Sequence, residues 1–311
     1  MMTLGFRQSS QLCALTLGVL LLWRQAIAAQ ELADPRLPDP ALLNSTVTNP
    51  AQPTLTYSVP TALADLAAAD VVYLGETHDS RADHAAQLQL IQALYAQNPE
   101  LAIGMEMFQR PYQEAIDQYL AGTLSEADLR QRTEYDQRWG FPWAYYAPIL
   151  RFAKEHQLPV LALNTPTEVT RRVAQKGLDA LTNWDRQWIP PVEEIRTDNA
   201  AYQQFLRPIY DDFHQGHGSS QGFENFFLAQ VLWDETMAEG IANFLHANPT
   251  HQVVVLAGQG HVVYGYGIPD RVMRRFPPER ELTQRLVLLN PASEFETMGD
   301  RPAADYFWFS P

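Results

Sequence analysis

Cysteine and lysine are both scarce in this chain of 311 residues. The single cysteine, Cys13, lies in an apolar segment near the amino terminus, and none follows it. A domain without cysteine forms no disulfide bond and offers no thiolate to a metal, so its stability depends on its core. Only two lysines occur, Lys154 and Lys176, while the formal net charge is −14. Such an acidic chain is a poor partner for nucleic acid or for an anionic membrane surface.

Long hydrophobic runs are also missing. The apolar segment Leu12–Trp23 is shorter than the roughly 20 residues that span a bilayer. Arg7 precedes it, and the stretch AIAAQ with its A-x-A pattern follows, as in a cleavable export signal. We therefore predict that residues 1–28 are a signal peptide, and that the mature protein starts near Ala29 in the periplasm or another extracytoplasmic compartment. No cysteine follows the apolar run, so the lipobox of a membrane-anchored lipoprotein is absent.

The remaining chain divides into a linker and one domain. Residues 29–54 are rich in proline, which predicts an extended linker. Within residues 55–311, five short apolar runs alternate with longer helical patterns. The runs are VVYLG (71–75), LAIGME (101–106), PVLALN (159–164), VVVLAG (253–258) and RLVLLN (285–290). Continuous apolar runs are typical of strands buried on both faces.

Alternation of strands and helices predicts an α/β fold with a central, mainly parallel β-sheet and helices on both faces. The helical patterns cover about 81–97, 109–121, 143–157, 166–176, 199–214 and 223–247. Residues 177–222 are rich in Trp, Pro, Asp and His and interrupt the alternation. We expect them to form a helical or irregular cap insertion.

Polar residues follow four of the predicted strands. Glu76 and His78 follow the first, Glu106 ends the second, Asn164 ends the third, and His261 follows the fourth. Because ligands bind outside the carboxyl ends of parallel strands, we expect these side chains to converge. His78, Glu106 and His261 would suit a divalent metal such as Zn²⁺ or Mn²⁺. The same residues with Glu76 would equally suit metal-free acid–base catalysis.

The helical pattern 223–247 carries two polar residues, Gln230 and Asp234, on its apolar stripe. A carboxylate that faces a core is costly unless it is paired, so Asp234 either bonds backbone groups or orients a site histidine. Glu235 falls roughly opposite the stripe and is predicted to be solvated. His84 is predicted to lie on a helix surface.

A second cluster is found in RPIYDDFHQGHGSSQGF, residues 207–223, where Tyr210, His214 and His217 lie close together. One interpretation is a frayed helix end followed by a loop. The other is a ligand set for haem or a metal, since both Tyr and His can be axial haem ligands.

Several motifs together resemble a known family. VVYLGETHDSRADH, GMEMF, WAYYAPILRFAKEHQLPVLALNTP, DETMAEGIANFL and VVVLAGQGHVVYGYGIPDRV are similar to the ChaN-like proteins, the haem-binding uptake family. The likeness covers about residues 55–295 and extends to the wider group of Tiki proteases and erythromycin esterases. It implies an α/β fold and an exported, often lipid-anchored protein that binds haem as a dimer in iron uptake. It also implies hydrolase relatives that use the matching polar set.

Residue by residue, Glu76 and His78 match the first motif, Glu106 the second and His261 the last. The haem ligand stays open between the cluster at 207–223 and the pair Tyr264 and Tyr266. Three functions therefore remain: haem binding for iron handling, hydrolysis at the strand ends, and a binding protein that keeps the polar cluster as a structural network.

Overall fold

The computed structural model describes residues 39–213, 219–292 and 301–311. Within these ranges eight strands form one sheet. The strands are β1 (Thr46–Asn49), β2 (Gln52–Tyr57), β3 (Val71–Glu76), β4 (Leu101–Gln109), β5 (Val160–Asn164), β6 (Gln252–Gly258), β7 (Gln284–Leu289) and β8 (Tyr306–Phe309). Their spatial order is β2-β1-β8-β7-β3-β6-β4-β5.

Helices connect the strands. Those before the cap are α1 (Pro40–Leu43), α2 (Val59–Ala67), α3 (Arg81–Gln97), α4 (Gln113–Leu120), α5 (Glu126–Arg132), α6 (Tyr135–Arg138), α7 (Trp143–Glu155) and α8 (Thr167–Lys176). Those that follow are α9 (Asn183–Arg186), α10 (Ala200–Phe213), α11 (Ser220–Ala247), α12 (Gln259–Val262) and α13 (Ile268–Met273). Among the helices described here, none is long and apolar enough to cross a membrane.

The centre of the sheet is parallel, as predicted. β3 pairs in parallel with β6 and β7, and β4 pairs in parallel with β5 and β6. All residues of β3, β4 and β6 are buried, because helices cover both faces of the sheet. The register sets Glu76 opposite Gly258, so the carboxyl ends of β3 and β6 lie side by side.

Each face of the sheet carries its own core. Val72 and Leu74 of β3 point into a core that includes Leu90 of α3 and Leu150 of α7. Val71 and Tyr73 point the other way, into a core that includes α11 and α13. This alternation follows from the two-residue period of a strand. Both predicted helix layers are therefore present.

The linker prediction is wrong from Asp39 onward. β1 and β2 form an antiparallel hairpin, and β1 pairs with β8 at the carboxyl terminus, with Val47 opposite Trp308. Pro53 is compatible with a strand here because β2 lies at the edge of the sheet. Proline has no backbone N–H to donate, and an edge strand has no second neighbour that would need one. The short strand β1 gains a second pairing partner in the aromatic stretch YFWF of β8.

The cap insertion is held to the body by a buried carboxylate. Glu235 of α11 is fully buried rather than solvated, so that prediction is also wrong. Its Oε1 accepts a hydrogen bond of 3.0 Å from the Arg196 backbone N–H in the cap, and its Oε2 accepts one of 2.8 Å from Arg275. Arg271 and Arg274 complete the ion-pair cluster. Three guanidinium groups offset the cost of burying this charge.

Replacing Glu235 should therefore destabilise the fold strongly. We expect Glu235→Ala to lower the free energy of unfolding by about 3–5 kcal/mol, because it leaves the buried Arg271 without its partner. Urea denaturation at 25 °C measures the change. Glu224→Ala, an exposed site on the same helix, is the control and should change little. Equal stabilities of the two variants would contradict this role of Glu235.

Candidate functional site

The site begins where β3 ends. Glu76 is buried at the last position of the strand, and its Oε1 lies 2.9 Å from His78 Nδ1. Tyr146 donates a hydrogen bond of 2.5 Å to the same oxygen, while Gln87 donates one of 2.6 Å to Oε2. Because a carboxylate only accepts hydrogen bonds, Nδ1 of His78 carries the hydrogen in this contact. The imidazole is thus held with Nε2 as its second nitrogen, next to the Gly258 backbone.

His84 contributes to the same cluster, contrary to its predicted surface position. It is 4% exposed. Its Nε2 lies 3.0 Å from the His78 backbone carbonyl, and its Nδ1 lies 3.5 Å from Glu76 Oε2. His84 shares the buried face of α3 with Gln87, Ile91 and Leu94. The spacing of these four residues, three or four apart, was the sequence signal that would have placed His84 inside.

The second half of the site is built on β4 and β6. Glu106 of β4 is buried, and its Oε2 accepts a hydrogen bond of 2.7 Å from the Gly258 backbone N–H. Its Oε1 lies 3.4 Å from His261 Nε2. Asn164 at the end of β5 donates through Nδ2 to the Glu106 backbone carbonyl at 2.8 Å. The strand ends themselves therefore fix this carboxylate.

Asp234 holds His261 from the other side. Its Oδ1 lies 2.7 Å from His261 Nδ1, and its Oδ2 accepts a hydrogen bond of 2.8 Å from the Tyr202 hydroxyl. The Gln230 side-chain amide lies 3.0 Å from the same imidazole nitrogen. Tyr202 comes from the cap insertion, and no sequence pattern predicts that it reaches this carboxylate. Of the two alternatives predicted for Asp234, the structure contains the contact with a site histidine, and its orienting role stays a prediction.

Gly258 joins the two halves. A Cβ atom at this position would lie 2.9 Å from both Cε1 and Nε2 of His78, and 3.8 Å from Glu106 Oε2. The His78 ring therefore rests directly on the backbone that donates to Glu106. The structure thus brings together all four side chains that the strand-end argument grouped, Glu76, His78, Glu106 and His261. Their chemical roles remain predictions.

The ionisation states follow from these contacts. Burial raises the pKa of Glu106, but the charge of His261 and then that of His78 outweigh burial and hold this pKa at about 2. Burial lowers the pKa of His261, whereas the charges of Glu106 and Asp234 raise it to about 10. At neutral pH the site therefore contains a buried imidazolium between two carboxylates.

His78 differs from His261 in its exposure. Its side chain is 29% exposed, against 10% for His261. Burial lowers the pKa of His78, but the hydrogen bond to Glu76 and the charge of Glu106 produce a net rise above 6.5. Trp139 and Phe141 contact the ring, with centroids at 4.8 and 5.0 Å. His78 is thus the site histidine that solvent and a ligand can reach.

The predicted divalent-metal site is not supported. Among the residues that the structure describes, no group of three His, Cys, Asp or Glu side chains is placed to hold a metal ion. In the structure His261 instead contacts two carboxylates, Glu106 at 3.4 Å and Asp234 at 2.7 Å. His78, Glu106 and His261 form an ion-pair network instead.

The predicted haem ligands that are described do not fit an open axial position. Tyr210, Tyr264 and Tyr266 are all buried. Tyr210 donates a hydrogen bond of 3.4 Å to the Ser219 carbonyl, and Tyr264 and Tyr266 pack against each other at 5.8 Å between ring centroids. The other two candidates, His214 and His217, lie outside the described residues.

Fold and site together define an α/β protein with a buried cluster of carboxylates and histidines at the carboxyl edge of a parallel sheet. The sequence profile of the family described as haem-binding uptake, Tiki superfamily, ChaN matches residues 62–272. This match covers more than half of the chain, which therefore belongs to that family.

Two further proteins are similar to this chain, one in sequence and one in structure. The protein RETICULATA-RELATED 5, chloroplastic, of Arabidopsis thaliana is 26% identical over 260 residues. That alignment covers 78% of this chain and 34% of the plant protein, so the chain spans about a third of that relative. A solved structure described as cofacial heme binding to ChaN of Campylobacter jejuni superposes with a TM-score of 0.67 at 17% identity. It covers 86% of this chain and 97% of the other, and it establishes the common fold.

The ion pair generates a prediction that NMR can check. In the parent protein the His261 imidazole should titrate near pH 10. In a Glu106→Gln variant this pKa should fall, because the largest charge that raises it is gone. Long-range ¹H–¹⁵N spectra of the imidazole nitrogens follow the titration, with the exposed change Glu224→Gln as control.

The same pair makes stability depend on pH. His261 has a raised folded pKa, so its contribution is complete below pH 6.5 and is lost as the pH rises towards about 10. Glu106 has a depressed folded pKa, so its contribution is complete above pH 4.5 and is lost as the pH falls towards about 2. In the NMR experiment above, a His261 titration that is unchanged in Glu106→Gln would contradict the role of Glu106 as the charge that raises this pKa.

Proposed function

We propose that this protein is a metal-free hydrolase that cleaves a small ester or related acyl compound at the carboxyl edge of its sheet. One observation carries the proposal: two carboxylate–histidine pairs on separate strands converge on Gly258. Buried charges of this kind are expensive to maintain, and strongly perturbed pKa values in a cleft are typical of functional sites.

His78 is the candidate general base. Its Nδ1–H is held by Glu76, so the neutral ring presents the lone pair of Nε2. In this mechanism Nε2 takes a proton from water while the water oxygen attacks the acyl carbon. Glu76 orients the ring and stabilises the imidazolium that forms, and it takes no proton itself. Tyr146 and Gln87 keep the carboxylate in position.

His261 is the candidate electrophile. It is protonated at neutral pH, and its charge lies in a buried site where electrostatic interactions are strong. The Nε2–H has only a long contact of 3.4 Å with Glu106 Oε1, and in this mechanism it turns to the negative oxygen that develops during attack and gives its proton to the leaving group. His78 then loses the proton taken from water to solvent, and His261 takes one up again. Asp234 fixes the ring through Nδ1. The two histidines thus divide the work of base and acid.

The two roles predict a bell-shaped pH dependence. Turnover of an ester such as p-nitrophenyl acetate should rise as His78 loses its proton, with a midpoint above pH 6.5. It should fall again as His261 loses its proton near pH 10. Stopped-flow release of p-nitrophenol measures both limbs.

Substitution of the base supplies the control. His78→Ala should reduce turnover by about a hundredfold to ten-thousandfold, the usual contribution of a general base. His246→Ala, at an exposed position near the end of α11, should leave turnover unchanged. Activity that is absent from the parent, or that survives His78→Ala, would exclude hydrolysis by this set.

Haem binding is the second candidate, and the family match favours it. The Campylobacter jejuni structure of the same fold is described as binding heme cofacially. In this reading the chain is an exported protein that handles haem or iron, as a homodimer, outside the cytoplasm. The ligand then belongs to the segment 207–223 or becomes available when Tyr264 and Tyr266 move.

Titration with haem tests this second candidate. A saturable Soret shift is expected from the parent protein. It should weaken in a Tyr210→Phe, His214→Ala, His217→Ala variant if the ligand lies in that segment. The matched control is Tyr264→Phe with Tyr266→Phe, which should bind as the parent does. If the Tyr264→Phe, Tyr266→Phe variant binds haem more weakly and the other variant binds as the parent does, the haem ligand belongs to that tyrosine pair. If the parent protein shows no Soret shift, the haem-binding proposal is wrong.

A further inference from the structure

An apolar cleft of about 270 Å³ lies between α8 and α11, and the site described above does not use it. Thr170, Arg171 and Ala174 line it from α8, and Phe226, Ala229 and Trp233 line it from α11. Pockets of about 300–1,000 Å³ hold drug-sized ligands. This cleft therefore suits a smaller apolar group.

The cleft shares a wall with the acid–base cluster. Trp233 lines the cleft, and its ring also packs edge-on against the ring of His261, with 6.0 Å between centroids. Trp233 directly precedes Asp234, the residue that holds His261. A molecule in the cleft would thus be separated from the imidazolium by a single aromatic side chain.

One positive charge at the cleft has no partner of its own. Arg171 is exposed at the rim, and within the described residues it forms no ion pair or hydrogen bond. Its neighbour Arg172 is paired with Asp185 at 3.0 Å. Glu168, the acidic residue that lies three positions before Arg171 on the same helix, is paired with Arg138 at 3.0 Å. Glu168 also feels the charge of Arg171, but both of its carboxylate oxygens accept hydrogen bonds from Arg138, so the Arg171 guanidinium remains available to an anion.

We propose that the cleft binds the apolar chain of a small amphiphilic carboxylate, with the carboxylate paired to Arg171. The apolar walls would bury the chain, and the guanidinium would recognise the anionic end, which a neutral or cationic amphiphile lacks. This binding claim stands independently of the proposed hydrolase, because Trp233 separates the cleft from His261.

Calorimetric titration with sodium decanoate tests the binding. Saturable binding is expected, and decanol and decyltrimethylammonium should bind at least about tenfold more weakly, which corresponds to one lost charge interaction. Arg171→Gln should remove the preference for decanoate over decanol. Lys176→Gln, an exposed cation on the same helix that does not line the cleft, should preserve it.

Two blocking variants locate the site. Ala229→Phe should abolish binding by filling the cleft from α11. Ala174→Phe should do the same from the exposed rim, where a larger side chain does not disturb the core. Decanoate binding that survives both substitutions would overturn the proposal, and so would an absence of binding to the parent. A change of oligomeric state in Ala174→Phe, seen by size-exclusion chromatography, would show that a second copy covers the cleft and would also overturn it.

The two proposals fail in different ways. If the cleft proposal is wrong but hydrolysis is right, His78-dependent turnover of p-nitrophenyl acetate persists without decanoate binding. If hydrolysis is wrong but the cleft proposal is right, decanoate binds and the ester is not cleaved.

Discussion

The ion pair between Glu106 and His261 is the constraint on which the site depends. Neither charge would be tolerated at this depth without an opposite charge beside it, because an isolated buried ion is far more costly than a paired one. The pair in turn requires the Gly258 backbone N–H on one side and Asp234 on the other. These partners come from different strands and from α11, so the network exists only when the sheet and the helix are assembled.

Three consecutive residues of α11 connect the site to its surroundings. Trp233 forms the wall between the His261 ring and the apolar cleft, Asp234 orients the ring itself, and Glu235 ties down the cap. Successive positions on a helix point about 100° apart, so one turn can face three neighbours. From the cap, the Tyr202 hydroxyl also donates a hydrogen bond to Asp234. Cap position, imidazole orientation and the cleft wall are thus coupled through a single helical turn.

The parallel core and the four site residues were accessible from sequence for the same reason. Continuous apolar runs predict strands that are buried on both faces. The carboxyl ends of parallel strands share one edge of the sheet, so Glu76, Glu106 and His261 are expected there. The hairpin at 46–57 and its pairing with β8 were not accessible, since short strands rely on partners that are distant in sequence. The predictions for His84 and Glu235 are wrong because a charged or polar side chain is expected to be exposed, whereas ion pairs and hydrogen bonds keep both inside.

Chemical rescue tests most directly whether this network performs catalysis. A His78→Gly variant leaves an imidazole-sized space at a position that solvent reaches, since the native side chain is 29% exposed. Added imidazole should restore hydrolysis of p-nitrophenyl acetate in a saturable manner, above the rate of imidazole alone in solution. If imidazole restores nothing while the variant stays folded, or if the variant already hydrolyses the ester at the parent rate, then His78 is not the base and the cluster is a structural network.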